Sequence, residues 1–205
     1  QSKCKTCTAG ASKAGSTFCD ECSAGTYMNA SRQCAICPTG YVSLYGQVEC
    51  KICAEGKYAN AVEKATNCEL CAEGKYSNLT RQSSNSTCQS CPVGTYSAII
   101  GSQSIGMCLP CAPGNPSAGH TAKSGAITVN ECECAAGHFG AAPASHQANI
   151  SCTACPRGKF RATPGAVVEA DCDLCAQGSY SQSNGTTRCT ECAAGKHHSV
   201  FGSKN

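Results

Sequence analysis

Cysteine is the residue type in this chain most able to do chemistry, at 22 of 205 residues. The cysteines form eleven doublets, at 4/7, 19/22, 34/37, 50/53, 68/71, 88/91, 108/111, 132/134, 152/155, 172/175 and 189/192. Ten are C-x-x-C, and Cys132-Glu133-Cys134 is the contracted exception. Thiols so spaced can form structural disulfides, bind zinc, exchange redox equivalents or act as nucleophiles. Thioredoxin-type redox chemistry needs a helix N-terminus to depress a thiol pKa, and no segment has helical periodicity beyond a turn or two. Nucleophilic catalysis needs a histidine and an acid beside the thiol, and no repeat supplies both. The five histidines, His120, His138, His146, His197 and His198, follow no ligand spacing, and the adjacent pair reads as solvated tail. No catalytic residue, metal or cofactor is assigned, and the chain reads as a non-enzyme.

Zinc remains the rival to sulfur, because successive C-x-x-C doublets also fit a zinc-ribbon template. An odd number of doublets cannot divide into four-cysteine sites. Five N-x-S/T sequons, at Asn29, Asn78, Asn85, Asn149 and Asn184, all lie in inter-doublet loops and fit a secreted glycoprotein with N-linked glycans. An oxidising compartment makes disulfides the expectation. The simplest connectivity joins the second cysteine of each doublet to the first of the next. It pairs Cys7–Cys19, Cys22–Cys34, Cys37–Cys50, Cys53–Cys68, Cys71–Cys88, Cys91–Cys108, Cys111–Cys132, Cys134–Cys152, Cys155–Cys172 and Cys175–Cys189. Each such bond would contribute about 3 kcal/mol by loop closure. A crossed scheme, first to third and second to fourth, stays open beside it, though eleven doublets do not fill it evenly. The chained scheme leaves Cys4 and Cys192 over, one at each end. That is the arrangement head-to-tail self-association through an intermolecular disulfide requires.

The elements that position these cysteines follow from the residues between them. The third residue after every doublet is glycine, from Gly10 to Gly195, which permits a sharp turn at positive φ. Two positions on stands an aromatic in Tyr27, Tyr58, Tyr76, Tyr96, Phe139, Phe160 and Tyr180, with Tyr41 one position early. The unit is C-x-x-C-[A/P]-x-G-x-[Y/F] plus a Ser/Thr/Asn/Ala-rich loop. Leu, Ile, Val and Phe total only 24 residues and Trp is absent, too few for one sizeable core. An aromatic ring over a neighbouring disulfide would make a small local core per repeat. The predicted fold is small, disulfide-rich, mainly β and irregular: an elongated tandem array of about eleven short repeats forming a rod. Each repeat is expected to touch only its neighbours. The predicted divisions are a first array over 1–111, a longer irregular repeat with a kink over 112–134, and a second array over 135–205. Ile99-Ile100 with Ile105 and Met107 reads as a small local core, with a contact site as the alternative.

Cys91-Pro92-Val93-Gly94-Thr95-Tyr96-Ser97 and Cys71-Ala72-Glu73-Gly74-Lys75-Tyr76-Ser77 resemble the core of ephrin-receptor-like cysteine-rich repeats. These are relatives of the tumour-necrosis-factor-receptor modules, where the crossed disulfide pattern occurs, and they abound in protist surface proteins. The array is also similar to the lipid-anchored immobilisation antigens of ciliates. The units after Cys7 and Cys111 depart from the motif by lacking the aromatic. Net charge is +3 with Lys and Arg scattered, so no basic stripe for nucleic acid exists, and no stretch is apolar enough for a transmembrane span. Gln1 fits the residue left by signal-peptide removal, and Asn205 a lipid-anchor attachment site. The expected function is a secreted or cell-surface structural glycoprotein that assembles into a filament or surface coat. The alternative is a receptor-type ectodomain or adhesin for a protein or glycan ligand.

Overall fold

The computed structural model describes residues 10–11, 14, 21–60, 64–115, 118–121, 123–140 and 150–204. Among them the regular structure is a succession of ten two-stranded ribbons and short 3₁₀ turns, with no α-helix. The sequence unit explains the regular ribbons. Its first strand is the short segment carrying the aromatic position, and its second is the pair of residues inside the following doublet. Lys57–Tyr58 thus pairs with Glu69–Leu70 between Cys68 and Cys71, in the register Lys57↔Leu70 and Tyr58↔Glu69. Lys159–Phe160 pairs with Asp173–Leu174 in the same way. Two-residue strands are not stable alone, and here a described disulfide stands beside nine of the ten ribbons. The 3₁₀ turns Asn85–Thr87, Ile105–Met107, Val129–Glu131 and Glu169–Asp171 each lead into the first cysteine of a doublet. Asp171 caps the last of them, its carboxylate accepting from the Val167 and Val168 N–H groups at 2.7 and 3.0 Å.

The chain forms two compact units, 1–89 with 99–107, and 90–98 with 108–205. The irregular stretch 112–134 lies wholly in the second.

In the first unit, backbone bonds join consecutive repeats. Gly56 N–H donates to the Ser77 carbonyl at 2.8 Å, Ser77 N–H to Ser102 at 3.0 Å, and Gly101 N–H to Cys71 at 2.7 Å. Contact also reaches the repeat after next. A Cβ on Gly56 would lie 2.2 Å from the Gly101 carbonyl oxygen, and one on Gly40 2.1 Å from that of Arg81. The neighbours-only expectation is therefore corrected: lack of a side chain lets backbone approach backbone two repeats away. The small cores are as sparse as composition demands. Tyr58 packs with Cys71 and Cys88, over the next repeat's disulfide. Val42, with Cys53, Ala59 and Ala65, fills the corresponding place in the preceding repeat. Tyr41, one position early, turns outward, and the Arg81 guanidinium lies 5.7 Å from its ring centre, within cation–π range. The Ile99, Ile100, Ile105 and Met107 cluster forms no core; all four side chains are exposed, because no long side chain of the unit closes over them.

The second unit repeats the bonding. Gly158 N–H donates to Ser181, Ser181 N–H to Ser203 and Gly202 N–H to Cys175. Gly158 sits against the Gly202 carbonyl, where a Cβ would be 2.1 Å away. One repeat differs. Gly114 has no positive φ and open space around its would-be Cβ, so it does not do the work of the other repeat glycines. The first strand here is displaced to Gly119–Thr121 and pairs with the contracted doublet, Gly119↔Cys134 and Thr121↔Cys132. Around it lies a cluster of Cys111, Ala112, Val129, Cys132, Cys134 and Ile150, with Tyr96 against it.

Candidate functional site: the disulfide ladder and its unbonded end

Nine disulfides are described: Cys22–Cys34, Cys37–Cys50, Cys53–Cys68, Cys71–Cys88, Cys91–Cys108, Cys111–Cys132, Cys134–Cys152, Cys155–Cys172 and Cys175–Cys189. Each joins the second cysteine of one doublet to the first of the next, with Cα atoms 5.4 to 5.9 Å apart. The positioning is local. The glycine turn starts a hairpin immediately after the second cysteine, and the return strand begins immediately after the first cysteine of the next doublet. The second cysteines are the deepest part of the array: Cys53, Cys71, Cys91, Cys111, Cys155 and Cys175 are fully buried. A sulfur in a disulfide has no thiolate to offer a metal or an electrophile. The crossed pairing is absent among these eighteen cysteines, and no cluster of potential metal ligands occurs among the described residues.

Cys192 is the exception, a half-buried free thiol. It lies in a groove of about 450 Å³ lined by Tyr180, Gln182, Ala193, Lys196, His197 and His198. Cys4, Cys7, Cys19, Asn149 and Asn205 lie outside the described residues. Of the remaining sequon residues, Asn78, Asn85 and Asn184 are exposed and Asn29 is half-buried. The Asn29 Oδ1 accepts from the Ser31 and Gln33 N–H groups at 3.0 and 2.9 Å. The Asn184 Oδ1 accepts from Arg157 N–H at 3.1 Å. In each case these bonds use the side-chain oxygen and not Nδ2, the atom a glycan would substitute.

Two sets of positions that hold the ladder together escaped the sequence reading. The first is the residue after the aromatic position: Ser43, Ser77, Ser97 and Ser181 are buried, as is Ala59, because the backbone of the next repeat crosses there. The second is a left-handed residue late in seven of the loops, whose N–H caps a buried cysteine carbonyl. Gly46, Gly101, Gly125, Gly165, Gly185 and Gly202 fill it, and Arg81 does so in left-handed geometry without being glycine. The residue that follows forms a parallel bridge to the preceding aromatic, as in Tyr76↔Ser102, Tyr96↔Ala126 and Tyr180↔Ser203. A signal was present in the dipeptides Gly101-Ser102, Gly125-Ala126, Gly165-Ala166 and Gly202-Ser203, each a glycine before a small residue. Polar tips of the aromatics are tied at the edge: Tyr76 OH donates to Gln89 at 2.9 Å. The Tyr58 phenol is held above its usual pKa by its bond to Glu69, with burial adding.

A second concavity lies in the first unit, a groove of about 680 Å³ whose lining includes Val42, Leu44, Ile52 and Lys57. Leu44, Tyr45 and Val48 on the loop that borders it are exposed, at 63%, 57% and 71%.

Comparison with known proteins finds similarity over part of the array. Residues 56–108 match the family described as tyrosine-protein kinase ephrin type A/B receptor-like, the resemblance carried by the Gly-Lys-Tyr-Ser and Gly-Thr-Tyr-Ser repeats. Over 68 residues, 31% of its length, the chain is 41% identical to the variant-specific surface protein VSP4A1 of Giardia intestinalis. The match covers 10% of that relative, so the chain spans a small part of it. The chain is a cysteine-rich, disulfide-bonded repeat array, similar over part of its length to a Giardia surface protein.

Proposed function

We propose that this chain is a non-enzymatic structural glycoprotein of the cell surface or extracellular space, a disulfide-stapled array that assembles into a filament or surface coat. The observation that carries it is the chained ladder, which uses every described cysteine except Cys192 in stabilising the array. The surface role named for VSP4A1 supports the location. N-linked glycans on Asn29, Asn78, Asn85, Asn149 and Asn184 and a lipid anchor at Asn205 complete the proposal. Self-association runs head to tail. The Cys192 thiolate attacks a mixed disulfide that Cys4 of a second copy forms with a small thiol, and expels that thiol.

Non-reducing electrophoresis of native material, paired with surface biotinylation of intact cells, tests this function. A reducible ladder from biotin-labelled material is expected. Monomers alone overturn covalent assembly, and absence of label overturns the surface location. Release by a phospholipase separates an anchored coat from free filaments.

One observation favours a second function, a receptor-type ectodomain or adhesin: the exposed Leu44, Tyr45 and Val48 beside the groove of the first unit. Aromatic and aliphatic side chains grouped at a concavity suit partner recognition. Saturable binding of a monodisperse monomer, lost in Tyr45→Ala, would establish it.

A further inference from the structure

The loop that carries Ile99, Ile100, Ile105 and Met107 is fixed to the first unit by its backbone. Gly101 N–H donates to the Cys71 carbonyl at 2.7 Å, and Ser77 N–H to the Ser102 carbonyl at 3.0 Å. Ser102 is buried, and its hydroxyl donates to the Ile99 carbonyl at 3.0 Å. Met107 N–H closes the 3₁₀ turn on the Ser104 carbonyl at 3.1 Å. Leu70 lies against the loop, its Cδ2 2.6 Å from where a Cβ on Gly101 would stand. The four side chains leave the chain on both sides of this anchored Gly101-Ser102 step, and they and Leu70 are exposed. Apolar side chains held out on a bonded backbone lose little entropy when they are covered.

Two features of the sequence set this face apart. Charged residues make up 14% of the chain, yet residues 82–122 contain no Asp, Glu, Lys or Arg. By contrast, exposed Val48 precedes Glu49, exposed Val168 precedes Glu169 and exposed Leu174 follows Asp173. Glu69, next to Leu70, is bonded to the Tyr58 phenol. The same stretch is poor in glycan acceptors. After the sequon at Asn85 the next is at Asn149, because Asn115 is followed by Pro116, which disqualifies it as an acceptor. The isoleucines therefore stand where neither charge nor a predicted glycan interrupts the surface. Depletion of charge is the compositional mark of an interface core, and a grouped exposed apolar patch marks a contact site.

What covers the face follows from its lack of charge. A strongly acidic or basic partner would find no counter-charge in this stretch. A charged patch also cannot pair with its own copy, because a two-fold contact brings each group near its like. A neutral patch has no such cost, whereas the chain as a whole, at net charge +3, repels a second copy. We propose that the face formed by Leu70, Ile99, Ile100, Ile105 and Met107 in the first unit pairs with the same face of a second copy. The contact is isologous and non-covalent, and its few side chains make it weak and reversible. This rests on the self-association proposed above but not on its disulfide. Head-to-tail bonds extend one array, and this face joins an array to its neighbour, the second direction of contact that a coat requires.

Sedimentation velocity of the full chain over a concentration series tests this, with free thiols blocked by iodoacetamide to prevent covalent assembly. Reversible dimers are expected, and raising sodium chloride from about 50 to about 500 mM should not weaken them, because the contact has no charges to screen. Ile100→Asp sets a carboxylate near its own copy and is expected to weaken dimerisation about tenfold or more. Ile105→Ser adds no charge and should weaken it less. Both variants should keep the wild-type melting temperature, since the sites are exposed. Val48→Asp, at an exposed site of the first unit outside the face, is the control and should leave dimerisation unchanged. A blocked chain that stays monomeric while the unblocked chain forms a reducible ladder overturns the face and leaves covalent assembly standing. No dimer and no ladder overturns both. Dimerisation untouched by Ile100→Asp places the contact elsewhere, and equal weakening by Val48→Asp makes it heterologous; either result overturns the inference. So does a monomer that cosediments with neutral phosphatidylcholine vesicles and loses that binding in Ile100→Asp, since a lipid surface would then cover the face.

Discussion

The repeat that begins at Cys53 and the repeat that begins at Cys111 solve the same packing problem by different means. At Cys53 the turn glycine, Gly56, is left-handed and lies against the Gly101 carbonyl, and the large apolar side chains nearby are Tyr58 over a disulfide and Val42 beside Cys53 and two alanines. At Cys111 the corresponding Gly114 is neither left-handed nor in close contact. There Val129 and Ile150 are buried with Ala112 and three cysteines. Ile150 N–H also caps the Cys111 carbonyl, at 3.3 Å, the task of a left-handed glycine in regular repeats. Where backbone-on-backbone contact is lost, a side-chain core replaces it.

That contrast can be broken by exchanging the demands on the two sites. Gly56→Val adds left-handed strain and a clash with the Gly101 carbonyl, and should cost about 4 kcal/mol. Gly114→Val should stay within about 0.5 kcal/mol. Denaturant unfolding of the oxidised proteins compares them, and equal losses would remove the distinction. Ile150→Ala should cost about 3 kcal/mol by leaving a cavity, whereas Ile100→Ala, at an exposed site, should move stability within about 0.5 kcal/mol. The same melts decide whether the irregular repeat depends on its core.

A gain is expected where a regular repeat lacks its glycine. Lys64 is held at φ 56°, and a Cβ on Gly25 would lie 2.2 Å from its Cα. Lys64→Gly should stabilise by about 0.5 kcal/mol, strain relief outweighing chain entropy. A lower melting temperature would contradict this. The smallest effect is at Asp171, held below the ordinary 3.8 by the Val168 and Val167 N–H groups, with Arg161 adding. A depressed folded-state pKa gives stability that is complete above pH 3.8 and fades as pH falls through the lower folded value. The melting difference between wild type and Asp171→Ala should therefore shrink on acidification. A gap that persists in acid would show that the carboxylate charge is not its source.

Much of the regular array was legible. Cysteine spacing, the glycine at the third position and the aromatic two residues on located the hairpins, because each is a local requirement of one clamped turn. What stayed hidden was set by contact between repeats. Nothing in the Ser43, Ser77 or Ser97 neighbourhoods marks a hydroxyl side chain as buried until the next repeat's backbone crosses it. Ile99, Ile100, Ile105 and Met107 have the composition of a core, yet no element covers them. Tyr41 has the right type at the wrong position, and Val42 takes the place by register, since a one-residue shift in a strand reverses the face. The groove beside Leu44 and Tyr45 was missed for the same reason: exposure is not a property of residue type.

The sequence by itself determined the class of protein, a stapled array with no room for a conventional core. Cysteine count, doublet periodicity and scarcity of large aliphatics are consequences of composition and spacing alone. Tertiary structure decided which sulfurs meet, because several pairings satisfy the same spacing and only the hairpin register selects one. It also decided that a glycine in one repeat is fixed by the repeat after next. A contact between backbones leaves no mark on either side chain, so no residue type announces it.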